Sequence, residues 1–193
     1  MPKIVDADAV RNELLSKAAV LFARRGYGSL TIREIATEAG VSTGTLYHYF
    51  KGKEDLFRQL CAAACDWDIR TLGELRATHA DPGERLEVFL EWTRREETYV
   101  LGEYLVLLDY LRAVDAEGAK VLVRETMERF TRAMAEDLEL DPALARFILN
   151  FLAGLVLHRF LDGARTDWDE QLAVLRAALG RPRASKPRKE IHP

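Results

Sequence analysis

A chain of 193 residues with 48% hydrophobic side chains and a formal net charge of −3 is too apolar to be disordered. It is long enough for one large domain or two small ones. Its two cysteines, Cys61 and Cys65, fall in one helical pattern, which excludes a disulfide framework and leaves them as small core residues rather than a redox pair. Charge is unevenly placed. Residues 1–53 carry 8 basic and 5 acidic side chains, residues 54–180 carry 15 and 25, and residues 181–193 carry 5 and 1. An acidic body with a basic N-terminal end suits contact with a polyanion at that end. Asp6, Asp8, Arg11, Glu13 and Lys17 interrupt any targeting-type apolar region. The longest uncharged apolar stretch, Phe147 to His158, falls short of the about 20 residues that cross a bilayer. The expectation is a soluble, cytoplasmic protein.

Helical periodicity dominates, and the fold class expected is all-α with about nine helices. Val10, Leu14, Ala18, Leu21 and Phe22 form one face of a first helix from about 8 to 25, which Gly26 and Gly28 end. Thr31-Ile-Arg-Glu34 is a capping box that opens a second helix with Ile32, Ile35, Ala36 and Ala39 inward. Gly40 allows a tight turn, and Ser42 caps a short third helix to about Tyr49, anchored by Val41, Leu46 and Phe50. A long fourth helix runs from about 53 to 78, ended by Asp81-Pro82-Gly83. Further helices are expected at about 84–99, 101–115, 117–138, 141–162 and 167–180. The expected organisation is a DNA-binding domain over 1–52, a ligand-binding and dimerisation domain over 53–180, and a disordered basic tail over 181–193 with three prolines.

A capped helix, a glycine turn and a short second helix make a helix-turn-helix. Its second helix enters the DNA major groove with its N-terminal residues nearest the base edges. Thr43, Gly44 and Thr45 are small enough for close approach, and His48 lies one turn on along the same face. The stretch from Thr31 to Phe57, TIREIATEAGVSTGTLYHYFKGKEDLF, resembles the DNA-binding domain of the TetR/AcrR family of regulators. The likeness covers roughly residues 10–60. It implies that Thr31 and Arg33 open the second helix at the DNA backbone, Arg33 also reaching a guanine edge. By the same likeness Thr43, Gly44, Thr45 and His48 face bases, while Ser42, Tyr47, Tyr49 and Lys53 hold phosphates. Leu46 and Phe50 are expected in the core.

In the larger part, the helix at 141–162 is apolar all round. Leu144, Phe147, Ile148, Phe151 and Leu155 form one face, and Leu149, Ala153, Val156 and Phe160 nearly the opposite one. The second face, with the stripe Trp168, Leu172, Leu175 and Leu179 of the last helix, is expected to make a four-helix homodimer interface. The resembled family pairs its last two helices in this way. An effector pocket is expected among Trp67, Trp92, Tyr104 and Phe151, with Asn150 and His158 as polar contacts because a helix buried on both sides must satisfy its polar groups. The sequence carries none of the nucleotide-binding, hydrolase or metalloprotease motifs. His48, His79, His158 and His192 have no metal-ligand spacing. The expected function is therefore not enzymatic and needs no cofactor or metal. It is a ligand-responsive regulator, most simply a repressor, that binds a palindromic operator on double-stranded DNA as a dimer. A small, largely apolar effector releases it. A sequence-independent architectural DNA binder is the competing reading, and would show salt dependence without preference for one palindrome.

Overall fold

A computed structural model describes residues 7–114 and 117–180. The expected tail at 181–193 lies outside the described residues. Among these the chain forms nine helices: α1 Ala7–Arg25, α2 Ile32–Ala39, α3 Thr43–Tyr49, α4 Lys53–Thr78, α5 Pro82–Arg95, α6 Glu97–Ala113, α7 Glu117–Asp137, α8 Pro142–Leu161 and α9 Trp168–Ala178. The fold is all-α, as the periodicity requires. Thr31 and Ser42 cap their helices as read, and Asp81, Asp141 and Asp167 do the same for α5, α8 and α9, each accepting a backbone N–H in the first turn.

One expected boundary moves. The break between α5 and α6 falls at Glu96, with φ −94° and ψ 23°, not near residue 100. Neither glycine nor proline marks it, and no side chain caps α6. The turn is fixed from outside. Glu97 accepts hydrogen bonds from Arg159 Nε at 2.8 Å and Trp168 Nε1 at 3.0 Å, which pins the start of α6 to α8 and α9.

Two hydrophobic clusters fill the molecule. The first joins Leu14, Ala18 and Phe22 of α1 to Ile35, Leu46, Phe50 and Phe57, and reaches Tyr110 on α6 and Leu122 on α7. The division expected at residue 52 is thus crossed by a shared core. The second cluster packs Leu72, Leu86, Phe89, Leu90 and Met134 against Ile148, Leu152, Leu155, Val156, Trp168, Leu172 and Leu175. Between them runs α4, which packs on α1, α5 and α7. At the far end Arg85, only 5% exposed, donates to the carbonyls of His79, Ala80 and Asp137 and to Glu139, tying two loops together.

Helix α8 corrects two expectations. By length and composition it is long and apolar enough to cross a membrane, with mean hydropathy 1.5 over its best window, which the shorter Phe147–His158 count had excluded. Its packing is that of a globular helix: it lies on α6 and α7, and its Arg159 is ion-paired to Glu97 within the fold. Its inward residues are Ala145, Ile148, Leu152, Leu155 and Val156, an arc between the two faces drawn from sequence. Val156 is fully buried in its own chain, and so, within 5%, are Trp168, Leu172 and Leu175 of α9. These four side chains are thus already covered within one chain. Leu149, Ala153 and Leu179 are half-buried at the flanks, and Phe160 is 55% exposed. The outward arc is instead Phe147, Asn150, Gly154, His158 and Leu161, with Val174 exposed on α9.

Candidate functional site

The α2–turn–α3 unit is built from its caps. Thr31 Oγ1 accepts from Glu34 N at 3.2 Å, while Glu34 Oε2 accepts from Thr31 N at 2.9 Å, completing the capping box. Arg25 Nη2 donates to Glu34 Oε1 at 2.8 Å. These bonds, Arg25's first, lower the Glu34 carboxyl to about 2. Gly40 turns the chain at φ 74°, in the left-handed region that favours glycine, and its N–H closes α2 on the carbonyls of Ala36 and Thr37. Lys17 Nζ donates to the Ala39 carbonyl at 2.9 Å, which holds the end of α2 to α1. Ser42 Oγ accepts from Thr45 N at 2.9 Å and lies 2.8 Å from Thr45 Oγ1. Leu46 and Phe50 are buried beneath α3 as expected.

On the outer side stand Thr31, Arg33, Ser42, Gly44, Tyr47 and His48, all exposed, with Thr43, Thr45 and Tyr49 half-buried among them. The His48 ring lies 5.0 Å from that of Tyr49. Two of the expected DNA contacts have prior engagements. The Thr45 hydroxyl belongs to the Ser42 cap. Lys53 Nζ donates to the carbonyls of Tyr27 at 3.0 Å and Leu30 at 2.8 Å, and sits 4.1 Å from the Tyr27 ring centroid. Two of its three donors thus hold the α1–α2 loop to the start of α4, so this lysine is first a structural staple.

The same loop is gripped from α6. Asp109 Oδ2 accepts from Gly28 N at 2.8 Å. A Cβ on Gly26, whose φ is +76°, would lie 2.7 Å from that carboxylate, so only glycine fits. The next residue, Tyr110, is fully buried, stacked on Phe57 at 4.3 Å and edge-on to Tyr27 at 4.9 Å.

A cleft of about 140 Å³ opens between α4, α5 and α7, lined by Asp68, Thr71, Leu72, Leu75, Val88, Phe89, Trp92, Arg95 and Phe130. Of the residues expected around a ligand, Trp92 lines it, and Trp67 meets the Trp92 ring at 6.5 Å. Tyr104, half-buried, and Phe151, half-buried on α8, lie outside the lining. For Asn150 and His158 the reason drawn from sequence, a helix buried on both sides, does not hold. Both are exposed on the outward arc of α8, His158 Nε2 standing 3.6 Å from Asp162, so neither needs a buried partner.

Sequence reasoning missed Asp68. Its signal was present: Cys61, Cys65, Asp68, Leu72 and Leu75 recur at helical spacing, which puts a carboxylate on an otherwise apolar stripe. Asp68 Oδ1 is buried with no hydrogen-bond partner. Burial, then the charge of Glu103, push its carboxyl up to about 7. Tyr99 Oη donates to Glu103 at 2.8 Å, and the Glu103 carboxyl is raised by burial too. The rings of Trp67, Trp92 and Tyr99 pack mutually at 5.9 to 6.5 Å. Cys61 and Cys65 are free and buried; burial lifts Cys61 to about 12 and raises Cys65, which makes both poor thiolates.

The sequence model of the family described as "Bacterial regulatory proteins, tetR family" matches residues 14–60, which are the α1–α2–α3 unit and the start of α4. A regulator from Aquifex aeolicus described as of the TetR/AcrR type extends the likeness over both clusters: TM-score 0.65 and 27% identity, covering 88% of this chain and 97% of that one. The DNA-binding unit of this chain is of the TetR family, and the chain as a whole is similar to TetR/AcrR-type regulators. That family is one of transcriptional regulators rather than enzymes.

Among its relatives, the transcriptional repressor KstR2 of Mycobacterium tuberculosis is 40% identical over 77 residues, 40% of this chain and 38% of that protein. The match therefore spans about two fifths of the length of the first curated relatives. AcrR of Shigella flexneri is 26% identical over 84% of this chain and 80% of its own. FadR of Bacillus subtilis, solved with stearoyl-CoA, shares the fold of this chain at TM-score 0.68 and 20% identity, covering 86% of this chain and 95% of FadR.

Proposed function

We propose that this chain is a TetR/AcrR-family repressor that binds a palindromic operator as a homodimer and is released by a small, largely apolar effector. The observation that carries the reading is α3: a capped helix whose inner side is locked by Leu46 and Phe50 while Gly44, Tyr47 and His48 face out. Thr43, Gly44 and His48 supply base contacts, Thr45 adding contact beside its cap. Thr31, Arg33, Ser42, Tyr47 and Tyr49 position the backbone, and Lys53 sets the loop that carries them. The name of KstR2 supports repression.

The dimer forms through the outward arc of α8 and α9. Phe147, Leu161, Phe160 and Val174 leave 52%, 79%, 55% and 60% of their surface open in a single chain, a patch of the kind that marks a protein contact. Such a dimer needs its two recognition helices one DNA turn apart, about 34–36 Å. The effector enters the α4–α5–α7 cleft. At about 140 Å³ this is below the roughly 300–1,000 Å³ usual for ligand pockets, so a long acyl chain like that of stearoyl-CoA needs a larger opening. Helix α6 carries the signal. Tyr99 and Glu103 sit beside the cleft's Asp68, and Asp109 and Tyr110 hold the loop before α2, so a shift of α6 re-aims the reading unit. A coupling of about 1–3 kcal/mol would lower operator affinity 5- to 150-fold.

Binding-site selection on random duplex DNA tests this. A two-fold symmetric site is the expected outcome; equal binding to random duplexes, with salt dependence alone, would overturn it in favour of an architectural binder.

A further inference from the structure

We infer that α6 is a strut pinned at both ends, and that Glu97 and Asp109 are the positioning residues through which it sets the spacing of the two half-sites this chain accepts. This rests on the reading of the chain as a dimer that pairs the outward arcs of α8 and α9. At the first end Glu97 holds Arg159 by both oxygens: Nε donates to Oε1 at 2.8 Å and Nη2 to Oε2 at 3.3 Å. Trp168 Nε1 donates to Oε2 at 3.0 Å. Arg159 also donates to the Thr166 carbonyl, and its guanidinium lies 5.8 Å from the Trp168 ring centroid. The Arg159 and Glu97 side chains are 13% and 26% exposed, so solvent screens this pair weakly. Phe160 and Leu161, next to Arg159 in the chain, belong to the exposed arc of the proposed seam.

At the other end, about 18 Å away along the helix axis, Asp109 Oδ2 accepts from Gly28 N at 2.8 Å. The adjoining Tyr110 packs on Tyr27 and Phe57. Apolar contact is non-directional, so by itself it lets α6 rock against the reading unit. The hydrogen bond adds direction. From α4, Lys53 Nζ donates to the Tyr27 and Leu30 carbonyls, on either side of Gly28. The loop before α2 therefore has one anchor on α4 and one on α6. A single anchor leaves a hinge, and two fix an angle.

Between its ends α6 is held loosely. Among its described residues, 17 in all, only Tyr110 is buried, although Val100, Leu101, Val106, Leu107 and Leu108 are all apolar. Its orientation comes from the pinned ends rather than from the middle. A rigid helix carries a displacement at one end to the other. A tilt at Glu97 therefore moves the reading unit relative to the two-fold axis of the dimer. One base pair of spacing shifts a half-site by about 3.4 Å along the duplex and about 34° around it, so a small tilt is enough to change the preferred spacing.

The test uses the full chain and duplexes with two inverted copies of the half-site obtained by binding-site selection, their spacing changed one base pair at a time. Binding is read by fluorescence anisotropy at fixed salt. The wild-type protein is expected to prefer one spacing over its neighbours by at least about tenfold. Asp109→Ala and Glu97→Ala are each expected to bring the neighbouring spacings within about threefold of the best, with base preference inside the half-site kept. Asp109→Asn keeps an acceptor oxygen for Gly28 N and restores the wild-type profile. Thermal melts check folding and light scattering checks the dimer. Glu97→Ala leaves Arg159 without its carboxylate; if that variant fails to fold, the two Asp109 variants decide. Affinity lost by one factor at every spacing, with selectivity for spacing intact, would make these residues merely structural and overturn the strut. A changed base preference inside the half-site overturns it as well, because the effect would then lie in α3. If the wild-type protein is a monomer or binds all spacings equally, the dimer reading falls and the strut with it. If it is a dimer whose preferred spacing survives Asp109→Ala, the dimer reading stands and the strut alone falls.

Discussion

Asp68 places a carboxylate in a half-buried position, with one oxygen away from solvent, and its linkage to stability has a definite sign. Its pKa stands at about 7 in the fold against 3.8 for the free group, so between those values the folded state holds a proton that the unfolded state has lost. Stability therefore falls as pH rises from about 4 to about 7 and stays low above, an effect on the order of a few kcal/mol. In urea denaturation at pH 5 and pH 8, Asp68→Asn is expected to flatten this slope and gain most at pH 8. A slope unchanged in the variant would move the titration to Glu103. Lys53 makes the second residue-scale case. Lys53→Met leaves the Tyr27 and Leu30 carbonyls without their donor, and is expected to cost about 1–3 kcal/mol in the same assay. A lysine that served only as a phosphate contact would leave folding untouched. The two roles are thus separable by a measurement without DNA.

At the scale of elements, the short α2 depends on its ends more than on its length. Eight residues are too few to hold a helix by propensity alone. Thr31→Ala removes the hydroxyl that caps Glu34 N and donates to the Glu34 carboxylate, leaving that carboxylate with Arg25 and the residue-31 N–H. The expected loss is about 1 kcal/mol in the denaturation midpoint. Operator affinity should fall with it, because α2 sets the angle at which α3 is presented. Helix α6 differs: its start at Glu96–Glu97 has no local signal and is fixed by Arg159 and Trp168 from elements over 60 residues away. That is why its boundary was displaced by several residues in the reading of the sequence, while α4, flanked by Gly52 and the Asp81 turn, kept both ends.

For the whole molecule, the proposed assembly rests on the exposed arc of α8. Phe147→Glu puts a charge into the proposed dimer seam yet lies away from either core, since Phe147 is 52% exposed in one chain. The expected outcome is a monomer by light scattering at micromolar concentration, with the helical content intact and operator binding lost. A dimer that survived would place the seam elsewhere. The apolar length of α8, enough by itself to span a bilayer, is covered on one arc by α6 and α7, and the proposed seam would cover the other.

Local rules were enough for the helix-turn-helix. Caps, the Gly40 turn and the spacing of Ile35, Ala36, Leu46 and Phe50 act within 20 residues, and the exposed positions follow from what those residues bury. Two matters lay beyond sequence. An all-apolar helix does not say which arc faces inward, because its residues bury equally well on any side; only the positions of α6 and α7 chose the arc centred on Leu152, and so turned Asn150 and His158 outward. A cleft is likewise a relation among three helices far apart in the chain. The sequence of α4 alone places Asp68 on an apolar stripe, but the burial that perturbs it comes from α5, α6 and α7 closing over that stripe.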